Sequence, residues 1–283
     1  MRGFINVDDD LYPTSLKDIG DRPDVIFYDG SPDSKIFENC LAVVGSRNLS
    51  VYGKKVIEHL FRSLKESNVT IVSGYMYGAD MCAHERAMEF GLKTVAVLGY
   101  GLGVLDKNNE TYKKFVQNGN IFISEYEENF PPAVWTFPKR NRIIAALSKA
   151  VLVIEASENS GSIITAEYAI KYGKILLAVP GSIFSDVSVG TNNLLKQSAI
   201  MLTDPNELCR IMRVGNDAKI ETAAGAKNSP QENEVLKLLV VMSLSLDELA
   251  LSLGLNYGEA AERVSRMELS GLIFEEGGKY YVS

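Results

Sequence analysis

Lys139, Arg140 and Arg142 crowd into the short run FPKRNR, and the turn Ser160-Gly161-Ser162 opens a helical pattern soon after it. Fixed cations beside a Ser-Gly-Ser turn are suited to holding phosphates. The side chains neutralise charge, and a turn entering a helix offers unpaired backbone N–H groups at the positive end of the dipole. Cations at a helix start oppose that dipole, which favours a bound anion over a solvated surface cluster. Asn141 lies among them, and Ser160, Ser162 and Thr165 supply three hydroxyls where a helix cap needs one. Glu155, at the end of the intervening strand-like run, is expected to orient an arginine and not to act as a base.

Other loops carry weaker signals of the same kind. Arg47 closes the apolar run LAVVGSR, where a guanidinium can pair with a phosphate or, more commonly, with a surface carboxylate. Ser73 and Gly74 begin SGYMYGAD, in which Asp80 is expected to cap or orient a helix start. Gly99 to Gly103, GYGLG, invites a dinucleotide reading. The fingerprint fails because Val104 stands where its last glycine belongs and LDKNNE follows in place of a small-residue helix start. No cofactor is expected.

These loops need a scaffold that brings them together. Seven apolar runs, LAVVGS, TIVSG, TVAVLG, IFISE, AVLVIEA, ILLAVPG and AIMLTD, alternate with helical patterns between Leu41 and Asp204. The alternation predicts an α/β fold with a doubly wound, mostly parallel sheet, whose strand ends gather the loops on one edge. Arg47, Arg140 and Arg142 are expected to converge there. Residues 1–212 form this domain, and 213–229 read as a small, polar linker. In 230–283, three helical patterns and two short runs around Gly277-Gly278 predict a winged helix.

Composition narrows the function. Three widely spaced cysteines and two histidines leave little material for a disulfide framework, a metal site or a Ser-His-Asp triad. No apolar run is long enough to span a bilayer and the N-terminus has no leader pattern, so the chain reads as soluble and cytoplasmic. The net charge is −7, unevenly spread: from Pro230 onward four basic residues face nine acidic ones, and before it 25 face 27. A nearly neutral body accommodates one basic groove, whereas the acidic tail is poorly suited to gripping nucleic acid.

The motifs AVVGSR, SGYMYGAD, ISEY, FPKRNRIIAALS, SGSIITAEYAIKYGK, AVPGS and GTNNLLKQSA, with the N-terminal DDDLYPTSLKDIGDRPDVIFYDGS, together resemble the DprA/Smf family of DNA-processing proteins. The resemblance covers essentially the whole chain. It implies an extended Rossmann-like domain that binds single-stranded DNA without catalysis, forms a homodimer and helps load a RecA-type recombinase during natural transformation. A small C-terminal winged-helix domain is implied too. Two departures stand out. The family's SGxAxGID reads SGYMYGAD here, and the loop GYGLGVLDKNN is one residue short, with Lys107 in its cationic position. The residues expected to hold the strand are Arg47, Ser73, Gly74, Lys107, Lys139, Arg140, Asn141, Arg142, Ser160, Gly161, Ser162 and Thr165. Tyr100, Trp135 and Phe137 are available for base stacking, and three to five neutralised phosphates predict a salt slope of about −2 to −4.

The chief rival is an enzyme. Phosphoribohydrolases of the lysine-decarboxylase-like type share a similar sheet and a Gly-Gly-x-Gly-Thr-x-x-Glu loop, comparable to Gly161 through Glu167. Ile164 replaces the glycine that lets backbone approach a sugar phosphate.

Overall fold

Strands that are apolar on both sides have no solvated face, so they must lie between two helical layers. The computed structural model has this arrangement over the residues it describes, 2–214, 235–236, 238–239, 244–270 and 272–282. The chain begins with β1 (Arg2–Asn6), α1 (Thr14–Lys17), β2 (Val25–Asp29), β3 (Cys40–Val44), α2 (Val51–Ser63), β4 (Thr70–Ser73), α3 (Ala79–Glu89) and β5 (Lys93–Leu98). It continues through α4 (Glu110–Gln117), β6 (Ile121–Ser124), α5 (Thr136–Leu147), β7 (Ala150–Val153), α6 (Gly161–Lys171), β8 (Ile175–Ala178), α7 (Val189–Gln197), β9 (Ile200–Met201) and α8 (Pro205–Met212).

One sheet holds these strands in the order β1-β2-β6-β5-β4-β3-β7-β8-β9. Neighbours from β6 to β9 are parallel, while β1 with β2 and β2 with β6 are antiparallel. All seven expected strands are present. The terminal pair β1 and β2 extends the sheet beyond them, and β9 is exposed where a buried strand was expected. Ala42, Val44, Val72, Val95 and Val97 pack with α1, α5 and α6 on one face. Leu41, Val43, Ile71 and Leu152 pack with α2, α3 and α8 on the other.

Strand order reverses at β3, with β4 to β6 on one side and β7 to β9 on the other. The loops after β3 and β7 therefore diverge above neighbouring strand ends and open a crevice between them. Backbone contacts lock three loops together at that point. Ser46 N–H donates to the Glu155 carbonyl at 2.7 Å and Ala79 N–H to the Ser46 carbonyl at 3.0 Å. Gly78 has φ +83°, and a Cβ there would lie 2.3 Å from the Ser46 oxygen, so only glycine permits this approach.

His84 shows how the sheet's polar interior is satisfied. The Thr94 hydroxyl donates to the Ile71 carbonyl at 2.8 Å, so its oxygen is left to accept from His84 Nδ1–H at 2.7 Å. This assigns the tautomer and leaves Nε2 buried without a partner among the described residues. Burial, and secondarily the Arg140 charge, push the imidazole down to about 3. An unfolded histidine binds its proton below about 6.5 while the folded one stays neutral, so stability is complete above that pH and declines as pH falls toward 3. Between pH 6.5 and 5 the loss is about 2 kcal/mol. Urea titrations across that range are expected to show this slope in the parent and a shallower one in His84→Gln.

The described residues from Val235 onward form a second compact unit. It contains helices Leu246–Leu253 and Tyr257–Leu269 and an antiparallel pair, Ile273–Glu276 with Lys279–Val282. Capping boxes Ser245/Glu248 and Asn256/Glu259 start the helices, and Leu249, Val264, Met267 and Ile273 form their core. The expected linker lies outside the described residues apart from Arg213 and Val214, as does much of the first expected C-terminal helix. We propose that this unit is a winged helix, on the order of its two helices and the antiparallel pair that follows them.

Candidate nucleic-acid interface

The crevice at the reversal point is an open groove of about 640 Å³. The loop after β3 contributes Ser46, Arg47 and Asn48, the loop before α3 contributes Met76 and Tyr77, and the first turn of α3 contributes Asp80. Helix α5 supplies Phe137, Arg140 and Asn141, and the start of α6 supplies Ser160, Gly161, Ser162 and Thr165. Arg47 is exposed and makes no side-chain hydrogen bond or ion pair among the described residues. It is the groove's open cation.

Arg140 occupies the floor and is only 3% exposed. Its Nη1 donates to the carbonyls of Gly74, at 2.6 Å, and Val97, while Nε donates to Asn141 Oδ1 at 3.1 Å. A Cβ on Gly74 would come within 2.5 Å of the guanidinium nitrogens, so glycine is required for the close fit. Burial lowers the Arg140 pKa from its ordinary value, opposed chiefly by the nearby Asp80 carboxylate. Burial raises Asp80 in turn, opposed chiefly by Arg140, and the Met76 N–H donates to Asp80 Oδ2 at 3.4 Å. The pair is held in place by backbone beneath the groove.

Asn141 continues the chain of contacts by donating Nδ2–H to the Gly161 carbonyl at 3.1 Å, which fixes the N-terminus of α6 against α5. Ser160 is the N-cap and accepts from Ser162 N–H at 3.4 Å, and the two hydroxyls are 2.8 Å apart. The backbone donors of this eleven-residue helix open on the groove.

Other expected site residues are placed elsewhere. FPKRNR belongs to α5, which starts at Thr136, so its cations are distributed by helical periodicity and do not form one loop cluster. Arg140 and Arg142, two positions apart, face about 200° away from each other, whereas Lys139 and Arg142, three apart, share a face. Arg142 Nη2 pairs with Glu125 Oε2 at 2.6 Å and Lys139 Nζ with the same oxygen at 3.2 Å. The expected convergence of Arg142 with Arg47 does not occur. Ser73 is fully buried, its hydroxyl donating to the Val43 carbonyl at 2.6 Å. Gly74 is buried beneath Arg140, and Lys107 is exposed in its loop and does not line the groove. Glu155 orients no arginine among the described residues: its carboxylate accepts from Ser50 N–H at 2.9 Å and from the Ser50 hydroxyl, bracing the N-cap of α2.

Residues 3–213 match the model of the DNA recombination-mediator protein A family. The chain belongs to that family. Among its relatives, DNA processing protein DprA of Streptococcus pneumoniae is 40% identical over 71% of this chain and 71% of its own. Protein Smf of Escherichia coli is 33% identical over 98% of this chain and 76% of its own. The solved structure of the pneumococcal protein superposes with a TM-score of 0.68 at 38% identity, covering 74% of this chain and 73% of that one. DNA processing protein A of Helicobacter pylori, a structure solved to show its single-stranded DNA binding mode, gives 0.63 at 27% identity, covering 73% of this chain and 94% of that one.

In this member of the recombination-mediator family the groove also has an apolar bank that the cation motifs did not reveal. Tyr77 is 80% exposed and Val134 is 90% exposed, and both line it. Phe137 joins them, as expected from the sequence. Trp135 instead packs edge-on to Tyr126 and Phe130, with half its surface still in solvent. Tyr77 was legible in principle as an aromatic between two glycines in a strand-end loop, a position that leaves a ring no core to enter.

Proposed function

We propose that this protein binds single-stranded DNA along the groove between the β3, β4 and β7 loops, without strong sequence preference. The observation that carries the reading is the unpaired, exposed Arg47 facing the N-terminus of α6 across a groove floored by the buried Arg140. Arg47 pairs with a phosphate, the α6 backbone donors receive a second, and the strand's bases lie against Tyr77, Val134 and Phe137. Relatives named for DNA processing and for single-strand binding support it. Loading of a recombinase and assembly as a homodimer extend this proposal, consistent with a family named for recombination mediation.

The geometry changes the electrostatic expectation. With Arg142 and Lys139 engaged by Glu125, and Arg140 buried and compensated by Asp80, about one phosphate is neutralised, by Arg47. The slope of log affinity against log salt is therefore about −0.7, shallower than the cation count of the motif implies. Anisotropy titrations of a labelled oligothymidylate at several salt concentrations test this. Salt-independent retention, or equal retention of duplex, counts against the reading.

For the enzymatic alternative, Glu167, the carboxylate that ends the comparable loop string, is exposed on α6 and does not line the groove. Among the described residues no helix is long and apolar enough to cross a membrane.

A further inference from the structure

A second cleft, of about 620 Å³, lies on the other flank of α5, between the loop entering β2, the end of β6 and α6. Its floor is the Arg142–Glu125 pair, whose side chains are 5% and 7% exposed. The pair meets end-on through Nη2 and Oε2, not as a two-pronged fork, so Arg142 Nη1 is buried without a partner among the described residues, and Glu125 Oε1 has only the equally buried Tyr126 hydroxyl beside it, whose pKa burial and then the carboxylate raise. An unmatched donor and a poorly matched acceptor on one buried pair are costly, and both residues line this cleft.

The rim decides what could satisfy them. Arg22, Lys139 and Arg142 are balanced by Asp21, Asp24 and Glu125, so the cleft has no excess of positive charge for a phosphate. Tyr168 forms an aromatic wall. It is steadied by offset stacking on Tyr172 at 5.7 Å, by Lys171 Nζ 5.7 Å from its ring centroid, and by the hydrogen bond from the Tyr172 hydroxyl to Asp21 at 2.8 Å. A flat, neutral group carrying adjacent donor and acceptor atoms matches both the wall and the floor, and that is the chemistry of a nucleobase edge.

We infer that this cleft receives a base of the single strand whose phosphates are held in the neighbouring groove. Pro138 lines both cavities, so a strand leaving the groove over the first turn of α5 arrives at the cleft mouth. The inference rests on the proposed strand binding. It adds a base subsite served by Tyr168, Arg142 and Glu125, none of which lines the groove.

The test uses the full chain and short oligothymidylates carrying one 2-aminopurine at successive positions. Stacking on Tyr168 quenches the probe at one position or two adjacent ones. Tyr168→Leu keeps apolar bulk against the core, and Asp24→Tyr, at the exposed rim, fills the cleft mouth without touching the core. Both are expected to abolish that quench and to weaken strand binding about tenfold. Identical quenching patterns and affinities in the parent and both variants, with Arg47→Glu still abolishing binding, overturn the subsite while leaving the groove intact. A Tyr168-dependent signal from free deoxyadenosine monophosphate that the strand fails to displace assigns the cleft to a mononucleotide and overturns the strand assignment. A parent protein that retains no strand at all overturns the proposed function, and the subsite with it.

Discussion

Arg47→Glu is expected to lower affinity for a single-stranded oligonucleotide at least a hundredfold while shifting the melting temperature by no more than about 2 °C. The two halves of this result have separate causes. Arg47 is exposed and has no ion pair or side-chain hydrogen bond among the described residues, so removing it from the folded protein leaves nothing unsatisfied. Its conformational surroundings are backbone contacts, Ala79 N–H to the Ser46 carbonyl and Ser46 N–H to Glu155, which a change of side chain does not touch. The loss of binding combines a missing charge-assisted hydrogen bond, about 1.5–3 kcal/mol, with repulsion between the new carboxylate and the phosphate. Gel shifts and thermal melts on the same preparations check both halves. Retained binding would mean that the groove's open cation is not where the strand lies.

The opposite profile is expected for Arg140→Met, which destabilises the fold by about 3–5 kcal/mol and lowers the melting temperature by roughly 6–20 °C. Three hydrogen bonds are lost, leaving the carbonyls of Gly74 and Val97 without a buried donor, and Asp80 loses its compensating charge. Adding Asp80→Asn to Arg140→Met is expected to recover part of the loss, because a neutral amide has no buried charge to compensate. Additive losses in that cycle would show that the pair is not energetically coupled. Any weakening of strand binding in Arg140→Met then follows mostly from disturbance of the groove floor. In the proposed binding mode Arg47 contacts the strand and Arg140 mainly positions the loops around it, though the two guanidinium groups look alike in the sequence.

Much of the scaffold was legible because its determinants are local and periodic. Runs such as LAVVG and VAVL have no polar face, so they read as central strands wherever they occur. The alternation with amphipathic helices fixed the fold class and placed Gly45–Arg47 and Ser160–Ser162 on one edge. The strands at the sheet's start were harder. RGFIN and VIFYD are isolated by the irregular segment between them, and β1 is only partly buried, so no repeating pattern announced the antiparallel extension. β9 is two residues long and exposed, and its place in the sheet rests on pairing with β8 rather than on burial.

For the proposed binding site, the sequence by itself determined the inventory: which loops carry cations, hydroxyls and glycines, and that a Ser-Gly-Ser turn opens α6. It did not determine which cations stay free, since that depends on carboxylates and carbonyls brought from distant segments. Glu125 reaches Lys139 and Arg142 only once β6 lies beside α5, and Gly74 and Val97 close around Arg140 only when β4, β5 and α5 meet. Electrostatic availability is set by neighbours through space, within a few ångströms and at low local dielectric, whereas residue spacing reports neighbours along the chain. Only the tertiary structure therefore singled out Arg47 as the open cation and gave Arg142 a second cleft of its own.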